Sequence, residues 1–149
     1  MRIALFQPDI AGNVGTILRL AACFGIPVDI IEPCGFPFSE RSLRRAGMDY
    51  AEKAEITRHH DWNQFHGALS GRLILLSTKG DLRLSEAELV AGDTLLLGSE
   101  SAGAPDFVHA AADRVTRIPL QEGFRSLNVA VAAGIAVHEA MRQTGMLPR

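Results

Sequence analysis

The segment from Gly123 to Asn128, which reads GFRSLN, places polar groups at the start of an apolar helix. The helix pattern that follows is rich in Ala, Val and Gly, so its side chains offer little polar surface. The first amides of a helix have no partner within that helix. Together with the Ser126 hydroxyl, they are able to hold a carboxylate or cradle a heterocycle. The pattern predicts a ligand-binding collar at this helix start.

A second candidate segment is QPDIAGNVGTILRL, at residues 7–20. Gly12 and Gly15 let the backbone come close to a partner, and Asn13 is suited to starting a helix. Arg19 lies one turn beyond Gly15 on the same side, where its forked cation could hold a phosphate or a ribose. The spacing GxxG differs from the dinucleotide fingerprint GxGxxG. A glycine turn followed by a solvated arginine is the plainer interpretation of this segment alone.

A third candidate segment is LLLGSESAGAP, at residues 95–105. Gly98, Gly103 and Pro105 frame a tight loop that presents Ser-Glu-Ser beside exposed backbone amides. A hydrolase nucleophile elbow requires GxSxG, and the serines here stand at the wrong distance from the glycines. We therefore expect a small polar group to dock against this loop, and we disfavour a hydrolase.

The elements that must position these segments alternate along the chain. Apolar runs without strict polar alternation predict strands buried on both faces at residues 3–6, 28–31, 73–76, 94–97 and 115–118. Helical patterns lie between them, with start signals at Asn13, Ser39, Asp61, Ser85 and Pro105. Gly25 is a natural end for the first helix.

This alternation predicts an α/β fold with a mostly parallel sheet of five or six strands and helices on both faces. The 149 residues are the length of one domain, so a single domain over residues 1–149 is expected. Ligands of such sheets bind beyond the carboxyl ends of the strands. The three polar segments are therefore expected to meet at that edge.

Bulk properties exclude several classes of function. The formal net charge is −2, so nucleic acid would have to be held by local patches such as Arg41, Arg44 and Arg45. Two cysteines and scattered histidines show no ligand spacing, so we expect no metal. Apolar runs are too short for a bilayer span or a signal peptide, which favours a soluble cytoplasmic protein without membrane contact.

The Ala-rich helix after Asn128 carries small side chains around most of its circumference. We expect it to be buried nearly all round, against its own sheet or against another subunit. A plain core helix and a dimer interface explain this pattern equally well.

The three segments, in this order, resemble the motifs of the SPOUT superfamily of RNA methyltransferases. The similarity is greatest to the TrmL family of tRNA wobble-nucleotide 2'-O-methyltransferases. Asn13, Gly15 and Arg19 match the first motif. The other two motifs are matched by Gly98, Glu100, Gly103 and Pro105, and by Ile118, Pro119, Ser126, Leu127 and Asn128. IIEPCGF, LRRAGMDY, TRHHDW and LSTKG are also similar, so the resemblance covers essentially the whole chain.

The resemblance implies a C-terminal trefoil knot, S-adenosylmethionine as cofactor with S-adenosylhomocysteine as product, and an obligate homodimer. The implied substrate is the ribose 2'-hydroxyl of the wobble nucleotide, cytidine or modified uridine, in the tRNA anticodon stem-loop. Carried over residue by residue, the cofactor contacts fall on Leu76, Gly98, Ile118, Leu120, Ser126 and Leu127. The chain departs from many relatives at Ala130, Val131 and His138, which puts in doubt the details of the helix contacts.

Arg19 is the expected catalytic residue. A guanidinium is nearly always protonated, so orienting the nucleotide or stabilising a developing alkoxide is favoured over accepting a proton. The expected RNA-binding residues are Asn13, Arg44, Arg45 and Lys79. Two alternatives stay open: a SPOUT 2'-O-methyltransferase acting on another tRNA position or on rRNA, and a non-catalytic RNA-binding dimer.

Overall fold

A single parallel sheet organises the chain. The structure, a computed structural model, describes residues 1–45 and 51–149, without the side chains of Glu40, Arg44 and Ala51. The seven strands stand in the order β3-β2-β1-β6-β4-β7-β5, and every pairing is parallel. The strands are β1 (Arg2–Phe6), β2 (Val28–Ile31), β3 (Ile56–His59), β4 (Leu73–Leu76), β5 (Leu82–Arg83), β6 (Thr94–Leu97) and β7 (Arg114–Arg117).

Helices cover both faces of this sheet, which confirms the predicted α/β architecture. The helices are α1 (Ala11–Phe24), α2 (Glu40–Arg45), α3 (Trp62–Ala68), α4 (Asp106–Ala111) and α5 (Val129–Thr144), with short 3-10 turns at Ala51–Lys53 and Leu84–Glu86. One buried cluster contains residues of α1 and α5, which pack against each other. A second cluster lies on the other face and contains Phe65 of α3 and Val108 of α4.

The central strands form because both of their faces are buried. All four residues of β2 and of β6 are buried, and burying each Leu or Ile side chain contributes about 1.5–3 kcal/mol. The two strands that the sequence analysis missed, β3 and β5, lie at the edges of the sheet. Three of the four residues of β3 are polar and β5 has only two residues, so neither carries the continuous apolar signal of a buried strand. The sheet consequently has seven strands instead of five or six.

Some of the predicted helix boundaries are confirmed and others are wrong. Gly25 ends α1 in the left-handed conformation with φ 66°, as predicted. Asp61 caps α3 by accepting from the Gln64 amide at 2.8 Å, and the Ser42 amide donates to the Ser39 hydroxyl at 3.1 Å. The predicted helix after Ser85 is wrong, because that region forms only the 3-10 turn.

The predicted cap at Asn13 is also wrong, because α1 begins two residues earlier, after Ile10. The side chain of Asn13 is engaged in contacts with other segments. Pro105 stands at the N-cap of α4, one position before the first turn in which it was expected.

Helix α5 is buried on one side only. Ala133, Ala136 and Ala140 face the core, whereas Val131 is 52% and Ile135 is 41% exposed. The single chain therefore does not bury this helix all round, and its burial against another subunit stays a prediction. No helix in the described ranges is long and apolar enough to cross a membrane.

Candidate active site

A cleft lies where the central strands end. Strands β1, β6 and β4 finish level with one another, because Leu97 is in register with both Leu5 and Leu76. The segments that leave these strands therefore emerge side by side, as the sequence analysis expected of a parallel sheet. They enclose a cleft of about 560 Å³ together with the start of α5. This volume lies within the range of small-molecule sites.

The residues predicted to contact a cofactor are brought together by the fold. Those lining the cleft are Leu76, Gly98, Ile118, Leu120, Ser126 and Leu127. They come from three chain segments, which lie at or after the ends of β4, β6 and β7. Several polar residues for which no cofactor contact was predicted also line the cleft, namely Ser77, Thr78, Ser99, Glu100, His109 and Arg125.

The loop after β6 is closed tightly on itself. The Ser99 amide donates to the Gly103 carbonyl at 3.2 Å, and the Gly103 amide donates back to Ser99 at 2.9 Å. A Cβ atom on Gly98 would stand 2.4 Å from the Gly103 carbonyl carbon and 2.5 Å from the Ala104 nitrogen. Gly98 is required here because no side chain fits between the two arms of the loop.

The collar at the start of α5 differs from the prediction in its capping residue. The Asn128 side chain caps the helix by accepting from the amides of Ala130 at 2.9 Å and Val131 at 3.3 Å. Two of the helix amides that were expected to meet a ligand are therefore already satisfied. Ser126 lies before the cap on an exposed stretch of the cleft wall.

A chain of polar contacts ties the three walls of the cleft together. The Asn128 side-chain amide donates to Asn13 Oδ1 at 3.0 Å, and Asn13 Nδ2 donates to Glu100 Oε1 at 3.3 Å. The Asp9 amide donates to Glu100 Oε2 at 2.9 Å, and the Ser101 hydroxyl donates to the Asp9 carboxylate. Both ends of the Asn13 amide are thus engaged, which favours a role in the cleft wall over a direct RNA contact.

Glu100 and Asp9 influence each other's ionisation. Burial raises the pKa of Glu100, and the adjoining Asp9 carboxylate raises it further. The pKa of Asp9 is lowered because Glu100, and then Ser101, hydrogen-bond to its carboxylate. The sequence analysis missed this contact. The only sign of this contact in the sequence is an acidic residue shortly after each of two strands that become neighbours in the sheet.

The chain is similar to known methyltransferases over nearly its whole length. A sequence profile of the SpoU rRNA Methylase family matches residues 1–138. The chain belongs to this methylase family. A tRNA (cytidine(34)-2'-O)-methyltransferase of Beijerinckia indica is 49% identical over 99% of this chain and 94% of its own length. The protein of the same name from Escherichia coli K12 is 41% identical over 97% of this chain and 94% of its own length.

Solved structures of SpoU-type methyltransferases share the fold. A structure from work on the 2-OH methylation of C/U34 on tRNA superimposes with a TM-score of 0.89 and is 40% identical. It covers 95% of this chain and 89% of the solved chain. An AdoMet-bound rRNA methyltransferase from Sinorhizobium meliloti is 29% identical with a TM-score of 0.82, over 95% of this chain and 55% of its own. The fold is therefore that of SpoU methylases.

The basic residues predicted for this SpoU methylase do not all meet at the cleft. Lys79 lines it, whereas Arg19 is exposed on α1 and is not among the described lining residues. Arg19 lies six residues beyond Asn13, a rise of about 9 Å along the helix. Arg45 borders a second depression of about 510 Å³ with Arg41, Ser39 and Ser42. The side chain of Arg44 lies outside the described part of the structure.

Proposed function

We propose that this SpoU methylase transfers a methyl group from S-adenosylmethionine to the ribose 2'-hydroxyl of the tRNA wobble nucleotide, cytidine or modified uridine. The observation that carries the proposal is the convergence of the six expected cofactor residues on one cleft. The names of the two relatives, at 49% and 41% identity over nearly the whole chain, support the nucleotide position. They favour this activity over a SPOUT enzyme acting elsewhere on tRNA or on rRNA.

The residues of the cleft fit a nucleoside-containing cofactor. Apolar side chains for a heterocycle are offered by Leu76, Ile118, Leu120 and Leu127, and polar groups by Ser126. Gly98, which has no side chain, leaves the backbone open to close approach. When bound, S-adenosylmethionine supplies a methyl group on a sulfonium and leaves as S-adenosylhomocysteine.

Because the leaving group is activated in this way, the chain's residues have two tasks. They must align the ribose hydroxyl with the methyl group, and they must stabilise negative charge on the oxygen as its proton departs. A guanidinium suits the second task, since it stays charged and donates from a planar fork. We assign this task to Arg19.

The position of Arg19 outside the cleft of its own chain supports a homodimer. Val131 and Ile135 expose apolar surface along α5, which packs beside α1. His138 is exposed on the same side of α5. We propose that a second copy covers this face, so that Arg19 of one subunit serves the cleft of the other. Burial of α5 by a subunit would also account for its small, apolar side chains.

RNA would be held by charge on the rim of the cleft. We assign phosphate contacts to Lys79, which lines the cleft, and to Arg45 beside the second depression. The RNA contact of Arg44 and the trefoil knot stay predictions from the sequence. We place the protein in the cytoplasm, where tRNA anticodon stem-loops present unstacked loop bases to proteins.

Arg45→Ala is expected to raise the KM for tRNA several-fold and to flatten its dependence on salt. Each phosphate contact that is lost removes the release of a counterion, so the slope of log KM against log salt should fall by about 0.7 to 1. Initial rates measured over a series of salt concentrations give this slope. Arg83→Ala is the control, because Arg83 is exposed and borders neither depression. Equal slopes in the two variants would remove Arg45 from the RNA contact.

The proposed activity is tested directly by mapping methylated nucleotides in tRNA from a strain lacking this gene. Mass spectrometry should show loss of the 2'-O-methyl group at the wobble nucleotide and its return when the gene is restored. Loss at another tRNA position or in rRNA would favour the alternative SPOUT enzyme. Normal methylation together with no adenosylmethionine binding by calorimetry would favour the non-catalytic RNA-binding dimer.

A further inference from the structure

A cluster of aromatic rings lies beside the cleft and has no part in the chemistry described above. Its members are Phe6 at the end of β1, Trp62 and His66 on α3, and Phe107 on α4. The ring of Trp62 meets Phe6 at 6.0 Å and Phe107 at 5.9 Å between centroids, both edge to face. Phe6 is buried, whereas Phe107 is 53% exposed and His66 is exposed. We call the partly buried Trp62 together with the exposed His66 and Phe107 the aromatic patch.

The aromatic patch adjoins the cleft across a single helix. His109 of α4 lines the cleft, and Phe107 of the same helix belongs to the patch. Phe107 follows the lining residue Ala104 by three positions, so their Cα atoms are at most about 11 Å apart. Trp62 packs against Phe6 at the carboxyl end of β1, and α3 follows the carboxyl end of β3. The patch therefore lies at the edge of the sheet where the cleft opens. A substrate held in the cleft is therefore within reach of the patch.

The geometry of the patch suits a planar ring. His66 stacks on Trp62 with a centroid distance of 5.3 Å and an angle of 18° between the ring planes. The indole thus already holds one heteroaromatic ring face to face, as it would hold a base. The surrounding residues Asn63, Gln64 and Asp106 are polar and exposed. The area of three rings within a polar rim is too small for a stable protein interface, which needs about 800 Å² on each side.

The charges around the patch favour a base over a phosphate. Asp61 begins α3 and Asp106 begins α4, and both are exposed. Carboxylates repel the RNA backbone, so electrostatic attraction does not explain why rings are exposed here. Stacking on aromatic side chains contributes about 1–3 kcal/mol per base and depends little on salt. RNA loops present unstacked bases for such contacts.

We propose that the aromatic patch is a second RNA subsite, which stacks an unpaired base that neighbours the methylated nucleotide in the substrate loop. The proposal rests on the RNA substrate of the proposed function, and it adds a contact that fixes the position of the loop. Removing the patch should weaken RNA binding without affecting the cofactor cleft. Because stacking is sequence-tolerant, the subsite would steady the loop and leave the choice of nucleotide to other contacts.

Trp62 is the chain's single tryptophan, so its fluorescence reports on the patch. Titration with an anticodon stem-loop oligonucleotide should change Trp62 emission as RNA binds. Phe107→Ala should raise the Kd for this RNA about 5- to 150-fold, with an unchanged salt slope and unchanged adenosylmethionine binding. His66→Ala, which removes no buried ring, should weaken binding in the same direction, and Phe107→Tyr should retain binding.

Val90→Ala is the matched control. Val90 is 49% exposed and precedes β6, so it lies near the amino ends of the strands, whereas the patch lies near their carboxyl ends. The proposal is overturned if the RNA binds and is methylated while Trp62 emission stays constant and Phe107→Ala and His66→Ala bind normally. It is also overturned if Phe107→Ala changes the association state in light scattering, since the patch would then contact another protein chain. Absence of both RNA binding and methyl transfer in the unaltered protein would defeat the proposed function itself.

Discussion

Arg19→Ala is expected to abolish methyl transfer while leaving adenosylmethionine binding nearly intact. Arg19 lies on α1 and outside the described lining of the cleft, so its removal changes no cofactor contact within its own chain. Loss of a cation that stabilises developing negative charge costs about a hundredfold or more in rate. Calorimetry measures cofactor binding, and incorporation of tritiated methyl groups measures transfer. A parallel loss of binding and transfer would reject this role for Arg19.

Mixed dimers distinguish whether Arg19 serves its own cleft or that of its partner. An Arg19→Ala chain is combined with a Gly98→Ala chain after partial unfolding and refolding of the mixture, and transfer is measured at an adenosylmethionine concentration too low to fill the weakened Gly98→Ala cleft. If Arg19 acts across the interface, each mixed dimer contains one complete site, and random pairing restores about one quarter of the wild-type rate. If it acts within its own chain, the mixture stays inactive. A monomer in sedimentation velocity would contradict the proposed assembly altogether.

Gly98→Ala is expected to lower adenosylmethionine affinity by at least about tenfold. The new Cβ would stand 2.4 Å from the Gly103 carbonyl carbon, so the loop after β6 must open to admit it. Overpacking of this kind costs about 1–3 kcal/mol, and the displaced backbone is part of the cleft wall. Calorimetry gives the affinity, and thermal unfolding separates a local change from a loss of fold.

Gly67→Ala is the control for this substitution. Gly67 lies in α3, where an added Cβ meets no atom within 4 Å. Alanine there should leave cofactor affinity unchanged and favour the helix slightly. Tight cofactor binding by Gly98→Ala would show that the loop is not a wall of the cofactor site.

Local patterns in the sequence were sufficient to predict the centre of the fold. Strand β4 reads LILL and β6 contains three consecutive leucines, because side chains on both faces of these central strands are covered. Gly25 and Asp61 were predictable as helix ends because a left-handed residue and a capping carboxylate act over a few positions. Parallel strands also predicted that the loops after them would share one edge.

Contacts between distant segments were decided only by the tertiary structure. Asn13 is of a residue type that commonly caps helices, but its side chain hydrogen-bonds to the Glu100 carboxylate and to the side-chain amide of Asn128. The edge strands β3 and β5 depend on their neighbours for pairing, so their own residues give little signal.

The sequence by itself therefore determined which segments are buried strands, where α1 ends and α3 begins, and which loops carry the polar groups. The tertiary structure decided which side chains in those loops contact one another, that α5 has an exposed apolar side, and that Arg19 is not among the described residues that line its own cleft. The physical reason is the separation along the chain over which each kind of interaction acts. Backbone preference and the apolar pattern of a strand depend on neighbours in the chain, whereas the hydrogen bond between Asn13 and Asn128 exists only after the fold has brought α1 and the start of α5 together.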